Sequence, residues 1–377
     1  MRAGVCRVVI GGLLTLGFLN AARAAGLLPD GVYRLTPEAA FQRGCFPPCL
    51  CPVMESGPMR GTFRLTYESS DPLFDHYAVT GVHWIAAVGD TELRIVGAGT
   101  YQIGGEFALT QRMQLDLWVD AGPWAHFDSG LVPIADPKQP GMDITVSING
   151  MYCFDTALRV AALPVPRDEV VSYTLGGGSQ YQEGCWPPCD CMLNSPQPVT
   201  GTFGLVPLQT GPLFMEYAVV DVNWLIDGRP PTQGDPRVTG GGTYRVGGEV
   251  AVMQQMVLDL SFGAGDPVRF DSGLVPGGGS FPAIDITIDL NGFVCFDQAF
   301  YLHARPQGPV LPGDLNCDGV VDFDDISPFV AALASRQGYE ARYPLCNWLN
   351  GDVDANGDVN FDDISPFVKC LVHGGCP

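Results

Sequence analysis

The chain repeats itself over a domain-sized distance, and this limits its fold more than any other feature. Tyr33, Phe41, the run GCFPPCLC at 44–51 and GTF at 61–63 recur as Tyr173, Tyr181, GCWPPCDC at 184–191 and GTF at 201–203, all at an offset of 140. Tyr77 and Trp84 keep that offset with Tyr217 and Trp224. After an insertion near Arg229, Pro230 and Pro231 the offset becomes 143, where GAGTYQIGGEFALTQ matches GGGTYRVGGEVAVMQ and FDSGLVP recurs at 127–133 and 270–276. It falls to 142 where NGMYCFD pairs with NGFVCFD. Two copies of one module therefore occupy roughly 28–163 and 168–304, each too long for a solenoid repeat and large enough for its own core. The expected division is 1–24, 25–165 for the first copy, 166–305 for the second and 306–377 for a distinct C-terminal module.

Each copy reads as antiparallel β. Residues 113–119 alternate apolar and polar side chains, as do 143–148, the pattern of a strand with one face on a core. Asn149-Gly150 and Asn291-Gly292 are expected to form two-residue hairpin turns, because both residue types tolerate positive φ. With 48 Gly and 32 Pro punctuating the chain, the expected fold class is mainly β. It comprises two tandem antiparallel β-sandwich or barrel domains, the pattern leaving those two forms open, plus a small α-helical module.

Arg2 and Arg7 precede a short apolar run over 8–19, and Ala22 and Ala24 stand at the −3 and −1 positions of a cleavage site. This pattern predicts a secretory signal peptide cut after Ala24, or after Ala25, that takes Cys6 with it. The run is short for a membrane span, which needs about 20 apolar residues, so no transmembrane anchor is expected. Export to an extracellular or cell-surface location makes disulfides the expected state of Cys45, Cys49, Cys51, Cys153, Cys185, Cys189, Cys191, Cys295, Cys317, Cys346, Cys370 and Cys376. A bridge from Cys153 or Cys295, each in the last strand of its copy, to the early cluster would tie the module's ends together. Four cysteines allow three connectivities, and a metal site on the C-x3-C-x-C cluster is the alternative. The net charge of −21 argues against nucleic acid and anionic membranes as partners and suits a cation binder.

The C-terminal module contains FDDISPFV twice, at 323–330 and 361–368. Each octapeptide closes a twelve-residue stretch with oxygen-bearing side chains at positions 1, 3, 5, 9 and 12 and Gly at position 6. The first is Asp314, Asn316, Asp318, Asp322 and Asp325 with Gly319; the second is Asp352, Asp354, Asn356, Asn360 and Asp363 with Gly357. Position 7 offers its backbone carbonyl, so Val320 and Asp358 can differ. Calcium takes six to eight oxygen ligands, and glycine permits the sharp turn that brings them round. The expected cofactor is Ca²⁺, two ions. Val321 and Val359 at position 8 are the apolar residues expected to pair the loops through a core. Ser327-Pro328 and Ser365-Pro366 suit a helix start. Phe329, Val330, Leu333, Phe367, Val368 and Leu371 are expected to form the core between the halves. Ten Asp and one Glu against two Arg and one Lys over 309–377 predict a module loosened by repulsion without metal.

Asp at position 12, followed by an apolar residue and a helix, makes this double motif resemble the type I dockerin family, the paired calcium loops of cellulosome-type proteins. The resemblance covers about 309–377 and implies calcium-dependent docking to a cohesin-like protein or another secreted or surface receptor. It implies partner contacts at loop positions 10 and 11, here Phe323, Asp324, Phe361 and Asp362. Four cysteines, a long segment between the halves and phenylalanine at position 10 depart from the family pattern.

The alternative is a polysaccharide-degrading glycoside hydrolase or a carbohydrate-binding component of an extracellular complex. No histidine is shared between the copies, which disfavours a His-based triad in both. Shared carboxylates are Glu106/Glu249, Asp116/Asp259, Asp128/Asp271, Asp143/Asp285 and Asp155/Asp297; two of them facing each other could serve a glycosidase, while turn and strand-end roles are the structural reading. Trp118, on the polar face of its strand, is the candidate sugar-stacking residue unless a loop or the second copy covers it. Phe46 and Trp186, between Cys and Pro-Pro, are rigid aromatic tips.

Overall fold

The computed structural model describes residues 27–51, 54–120, 122–134, 141–229, 235–277, 281–307, 311–343 and 346–376. The expected signal peptide and most of the insertion after Arg229 lie outside these residues. The protein is mainly β, with two large antiparallel sheets, one per sequence copy, and short helices near the C-terminus.

The first copy contributes β1 (Gly31–Leu35), β2 (Ala40–Phe46), β3 (Met54–Ser70), β4 (Phe74–Val88), β5 (Thr91–Gly104), β6 (Thr110–Val119), β7 (Trp124–Asp128), β8 (Val132–Pro133), β9 (Met142–Ser147) and β10 (Cys153–Pro164). The second contributes β11 (Val171–Leu175), β12 (Gln180–Trp186), β13 (Gln197–Thr210), β14 (Phe214–Ile226), β15 (Arg237–Gly247), β16 (Met253–Phe262), β17 (Val268–Asp271), β18 (Val275–Pro276), β19 (Ile284–Asp289) and β20 (Cys295–Pro306). Pairing runs from β10 through β2, β3, β4, β5, β6, β7 and β9, and β9 returns to β10. The second copy closes the same way, through the pairings of β13 with β14 and of β19 with β20. Each sheet thus wraps one core, as a sandwich does, and closes its hydrogen-bonded ring, as a barrel does.

The repeated letters explain the repeated core. Tyr33 stacks on Phe63 at 5.4 Å and Phe63 meets the edge of Trp84; Tyr173, Phe203 and Trp224 do the same, with the stack at 5.2 Å. Buried Tyr101 donates to Gln111, whose amide donates to the Asp143 carbonyl, and Tyr244, Gln254 and Asp285 repeat this wiring. A Cβ on Gly99 would lie 1.9 Å from the Gln114 carbonyl oxygen, and one on Gly242 2.0 Å from that of Val257. The GAGT and GGGT runs are therefore places where two strands approach too closely for a side chain.

The Asn-Gly turns sit one residue later than their dipeptides suggest. The turn bond is Tyr152 N–H to the Asn149 carbonyl, and Gly150 and Met151 take the positive φ angles, +66° and +58°. Buried Asp155 causes the shift, accepting the N–H groups of Asn149, Met151 and Thr156. Asp297 holds Asn291, Phe293 and Gln298 in the same way.

All twelve remaining cysteines are paired, which replaces the metal-site alternative. Cys49–Cys153 and Cys189–Cys295 are the ties from last strand to early cluster, accompanied by Cys45–Cys51 and Cys185–Cys191. Cys317–Cys346 and Cys370–Cys376 lie in the C-terminal module. Among the described residues no helix is long and apolar enough to cross a membrane. The six pairs are compatible with an extracellular protein.

The copies meet across a small apolar cluster of Val32, Val206, Ala218 and Val220, joined by Val165, Val170 and Leu208. Arg34–Glu169, Arg60–Glu216, Arg64–Asp221 and Arg94–Asp259 surround it. The C-terminal module consists of α1 (Ile326–Ala334), α2 (Arg336–Arg342) and α3 (Ile364–His373) with the loops before α1 and α3. The long segment between its halves forms α2, which packs on β13, while the Asn223 amide donates to Glu340 at 2.5 Å.

Candidate metal centre

Two loops, 314–325 and 352–363, are wired alike. In the first, the N–H groups of Asp318, Val320 and Asp324 donate to the side chains of Asn316, Asp318 and Asp322. In the second, Asn356, Asp358 and Asp362 donate to Asp354, Asn356 and Asn360. Position 6 is left-handed in both, Gly319 at φ +88° and Gly357 at +105°. So is position 4, Cys317 at +59° and Ala355 at +61°. Neither residue type favours that region, so the sequence carries no signal for it. Asp322 and Asn360 then form capping boxes with Asp325 and Asp363 that start the helices.

The position-12 carboxylates are the structural hinge of each loop. Asp325 is fully buried and accepts the N–H groups of Leu315, Asn316 and Asp322 at 2.7 to 3.0 Å. Asp363 accepts those of Val353, Asp354 and Asn360 over the same range. Burial pushes the carboxyls of Asp325, Asp352 and Asp363 above their ordinary range, the penalty of crowding acids away from water. Carboxylate oxygens of Asp352, Asp354 and Asp363 lie within 4.8 Å of one another. In the first loop, Asp314 is 2% exposed; one oxygen accepts from Gly319, while Oδ1 is buried without any hydrogen-bond partner. An unpaired buried carboxylate oxygen is costly. An all-oxygen donor set with such an orphan fits a hard divalent cation.

Phe329 and Phe367 stack at 4.1 Å and form the module's core with Leu315, Tyr339 and Val359, flanked by Leu333 and Leu371. Val359 is buried and Val321 half-buried. Val330 and Val368 depart from expectation: they are 58% and 50% exposed, because the stacked rings already fill the space between the helices. Phe323 and Phe361 are 76% and 79% exposed, and Asp324 and Asp362 are exposed beside them.

The β-domain candidates are more dispersed. Trp118 is half-buried beneath the Arg94 guanidinium, 4.8 Å from its ring centre. Its register partner Trp124 is the exposed indole, which the alternation pattern did not single out. Trp186 packs edge-on against Phe293, and Phe46 is half-buried. Asp128 pairs with Arg112, Asp143 with Arg159, Asp116 with His126, Asp259 with Arg94, and Asp285 with His303. Asp271 accepts from Gln255 and Gly273, and Glu106 and Glu249 are exposed at hairpin ends. A cleft of about 510 Å³ lies between the copies, and Arg60, His83, Arg94, Glu216 and Asp259 line it. These are largely the cross-copy ion pairs themselves. No family model, no curated protein and no solved structure matches the chain.

Proposed function

We propose that the C-terminal module binds two Ca²⁺ ions and docks a secreted or surface protein, cohesin-like or of another receptor class, with the two β-domains as its passenger body. The observation that carries this reading is the twofold repetition of one loop geometry with acidic oxygens turned inward, including the orphaned Asp314 Oδ1. Asp314, Asn316, Asp318, Asp322, Asp325 and the Val320 carbonyl would hold one ion. Asp352, Asp354, Asn356, Asn360, Asp363 and the Asp358 carbonyl would hold the other. The ion supplies positive charge that lets these carboxylates stay together. Docking rests on the apolar surface beside each loop: Phe323, Ile326 and Val330 on one half, Phe361, Ile364 and Val368 on the other, all at least 40% exposed. Apolar groups repeated in this way suit a partner that accepts either half.

Calorimetric titration of metal-free protein should show uptake of two Ca²⁺ per chain; no saturable uptake overturns the reading. Capture of a partner from the organism's own secretome should require Ca²⁺ and survive replacement of Phe323-Asp324 or Phe361-Asp362 alone, but not of both. Loss on changing the first pair alone, with the second dispensable, refutes the two-faced arrangement.

A further inference from the structure

One difference between the two loops is a neighbouring cation. Arg167, in the short linker between the β-domains, donates from Nη1 to Oδ2 of Asp352, the first acid of the second loop. Its guanidinium also lies over Gly357, where an added Cβ would come within 2.5 Å of Nη2. Asp352 is 4% exposed, so the pair is largely shielded on the carboxylate side. In the first loop nothing approaches the Cβ position of Gly319 within 4 Å, and Oδ2 of Asp314, the matching oxygen, accepts the Gly319 N–H with no cationic side chain paired to it among the described residues.

We infer that Arg167 is an internal cation that competes with the metal for the second loop, so that filling this loop releases the linker from the C-terminal module. The inference rests on the calcium reading above. A guanidinium and a divalent ion cannot both neutralise one carboxylate oxygen without repelling each other. The second loop therefore binds more weakly than the first, and the difference is the coupling between metal and linker. Coupling is reciprocal: whatever Arg167 costs the metal, the metal costs the Arg167 contact. The first loop acts as the constitutive site, and the second reads out calcium level as a change in how residues 166–170 are held. That linker is closed by two short-range bonds, Glu169 N–H to the Pro166 carbonyl and Val170 N–H to the Arg167 carbonyl.

The test is calorimetric titration of Ca²⁺ into the full metal-free chain, as wild type, Arg167→Gln and Lys369→Gln. Lys369 is exposed on α3 and serves as the control for simple loss of positive charge. Wild type should show two events of unequal affinity. Arg167→Gln should tighten the weaker event by about tenfold and leave the tighter one within about twofold, while Lys369→Gln moves neither by more than that. Hydrogen–deuterium exchange on the unaltered protein gives a second reading, with residues 166–170 exchanging at least about threefold faster once Ca²⁺ saturates the module. Two bound ions with equal shifts in both variants, or linker exchange that calcium leaves unchanged, overturn the inference and leave the calcium reading standing. No uptake in any variant overturns both.

Discussion

His83 and Asn223 occupy one position in two copies of one fold, and each faces the next unit along the chain. The His83 ring lies against Gly241 of the second copy and 3.7 Å from Asp259. Asn223 donates to Glu340 of the C-terminal module. The same face of each β-domain is therefore used to dock its successor, with different chemistry each time. Shared residues build the closed sheets, and what lies on them is decided mostly by unshared residues, Arg94–Asp259 being a joint pair whose positions both copies fill alike. Gly81 and Asp221 illustrate this: both are left-handed, at φ +57° and +53°. Only Asp221 reaches across, to pair with Arg64, accepting a backbone conformation that glycine adopts freely.

Four measurements can break or sharpen the comparison. The largest effects should be alike in the two copies. Replacing both cysteines of Cys49–Cys153, or of Cys189–Cys295, opens loops with sequence separations of 104 and 106. Each should cost about 4–5 kcal/mol on the chain-entropy argument, read by urea unfolding; a large inequality would mean the cores are not equivalent. Next, Asp259→Ala should destabilise by about 1–3 kcal/mol, because it removes the nearer of the two carboxylates that neutralise a mostly buried Arg94, leaving only Asp120 at 3.5 Å. Asp116→Ala at the matching position should change stability by under about 0.5 kcal/mol, its carboxylate being exposed and paired only with exposed His126. Equal effects would refute the assignment of Asp259 to the joint.

A smaller effect concerns pH. Burial lowers the His83 pKa, against the opposing pull of Asp259 and the Gly81 carbonyl and with the added push of Arg94. A histidine whose folded pKa is depressed binds fewer protons folded than unfolded. Stability should thus rise with pH through the window below about 6.5. His83→Gln should flatten that slope in thermal melts from pH 5 to 7.5; an unchanged slope would place the titrating group elsewhere. Last, Asp221→Gly should alter stability by less than about 1 kcal/mol in urea unfolding, since relief of left-handed strain offsets loss of a partly exposed ion pair.

The sequence was legible where physics is local or repeated. The duplication located both cores, the alternation at 113–119 located β6, and the spacing of oxygen-bearing side chains around a glycine located both loops. The tie between early cluster and last strand also followed from the duplication, though not its choice of Cys49 over Cys45 or Cys51. Ring closure was not legible, because it depends on the long-range pairings of β2 with β10 and β12 with β20, and of β7 with β9 and β17 with β19, which no strand's own pattern announces. The turns moved by one residue because Asp155 and Asp297, for which a turn or strand-end role was the structural reading, take up backbone N–H groups that the Asn-Gly dipeptides do not reveal. Val330 and Val368 share a helix stripe with residues that go inside, and the Phe329–Phe367 stack leaves them no room. Arg167 lies 185 residues from Asp352, and nothing near either residue in the sequence announces the contact. The joint did leave a trace: Arg60, Arg64 and Glu216 stand where the other copy has Thr200, Gly204 and His76. Such unshared charges on a shared scaffold mark where a duplicate has met a neighbour.

The cross-copy ion pairs also have a direction. In Arg34–Glu169, Arg60–Glu216, Arg64–Asp221 and Arg94–Asp259, the first copy supplies every guanidinium and the second copy or its lead-in every carboxylate. The joint therefore works as a plug and socket. Two plugs would present arginine to arginine and two sockets acid to acid, so like halves on separate molecules repel. The polarity excludes plug–plug and socket–socket pairing; plug-to-socket pairing between molecules is the head-to-tail arrangement that would chain or swap them, and it is the short tether that gives the partner already beside it the advantage.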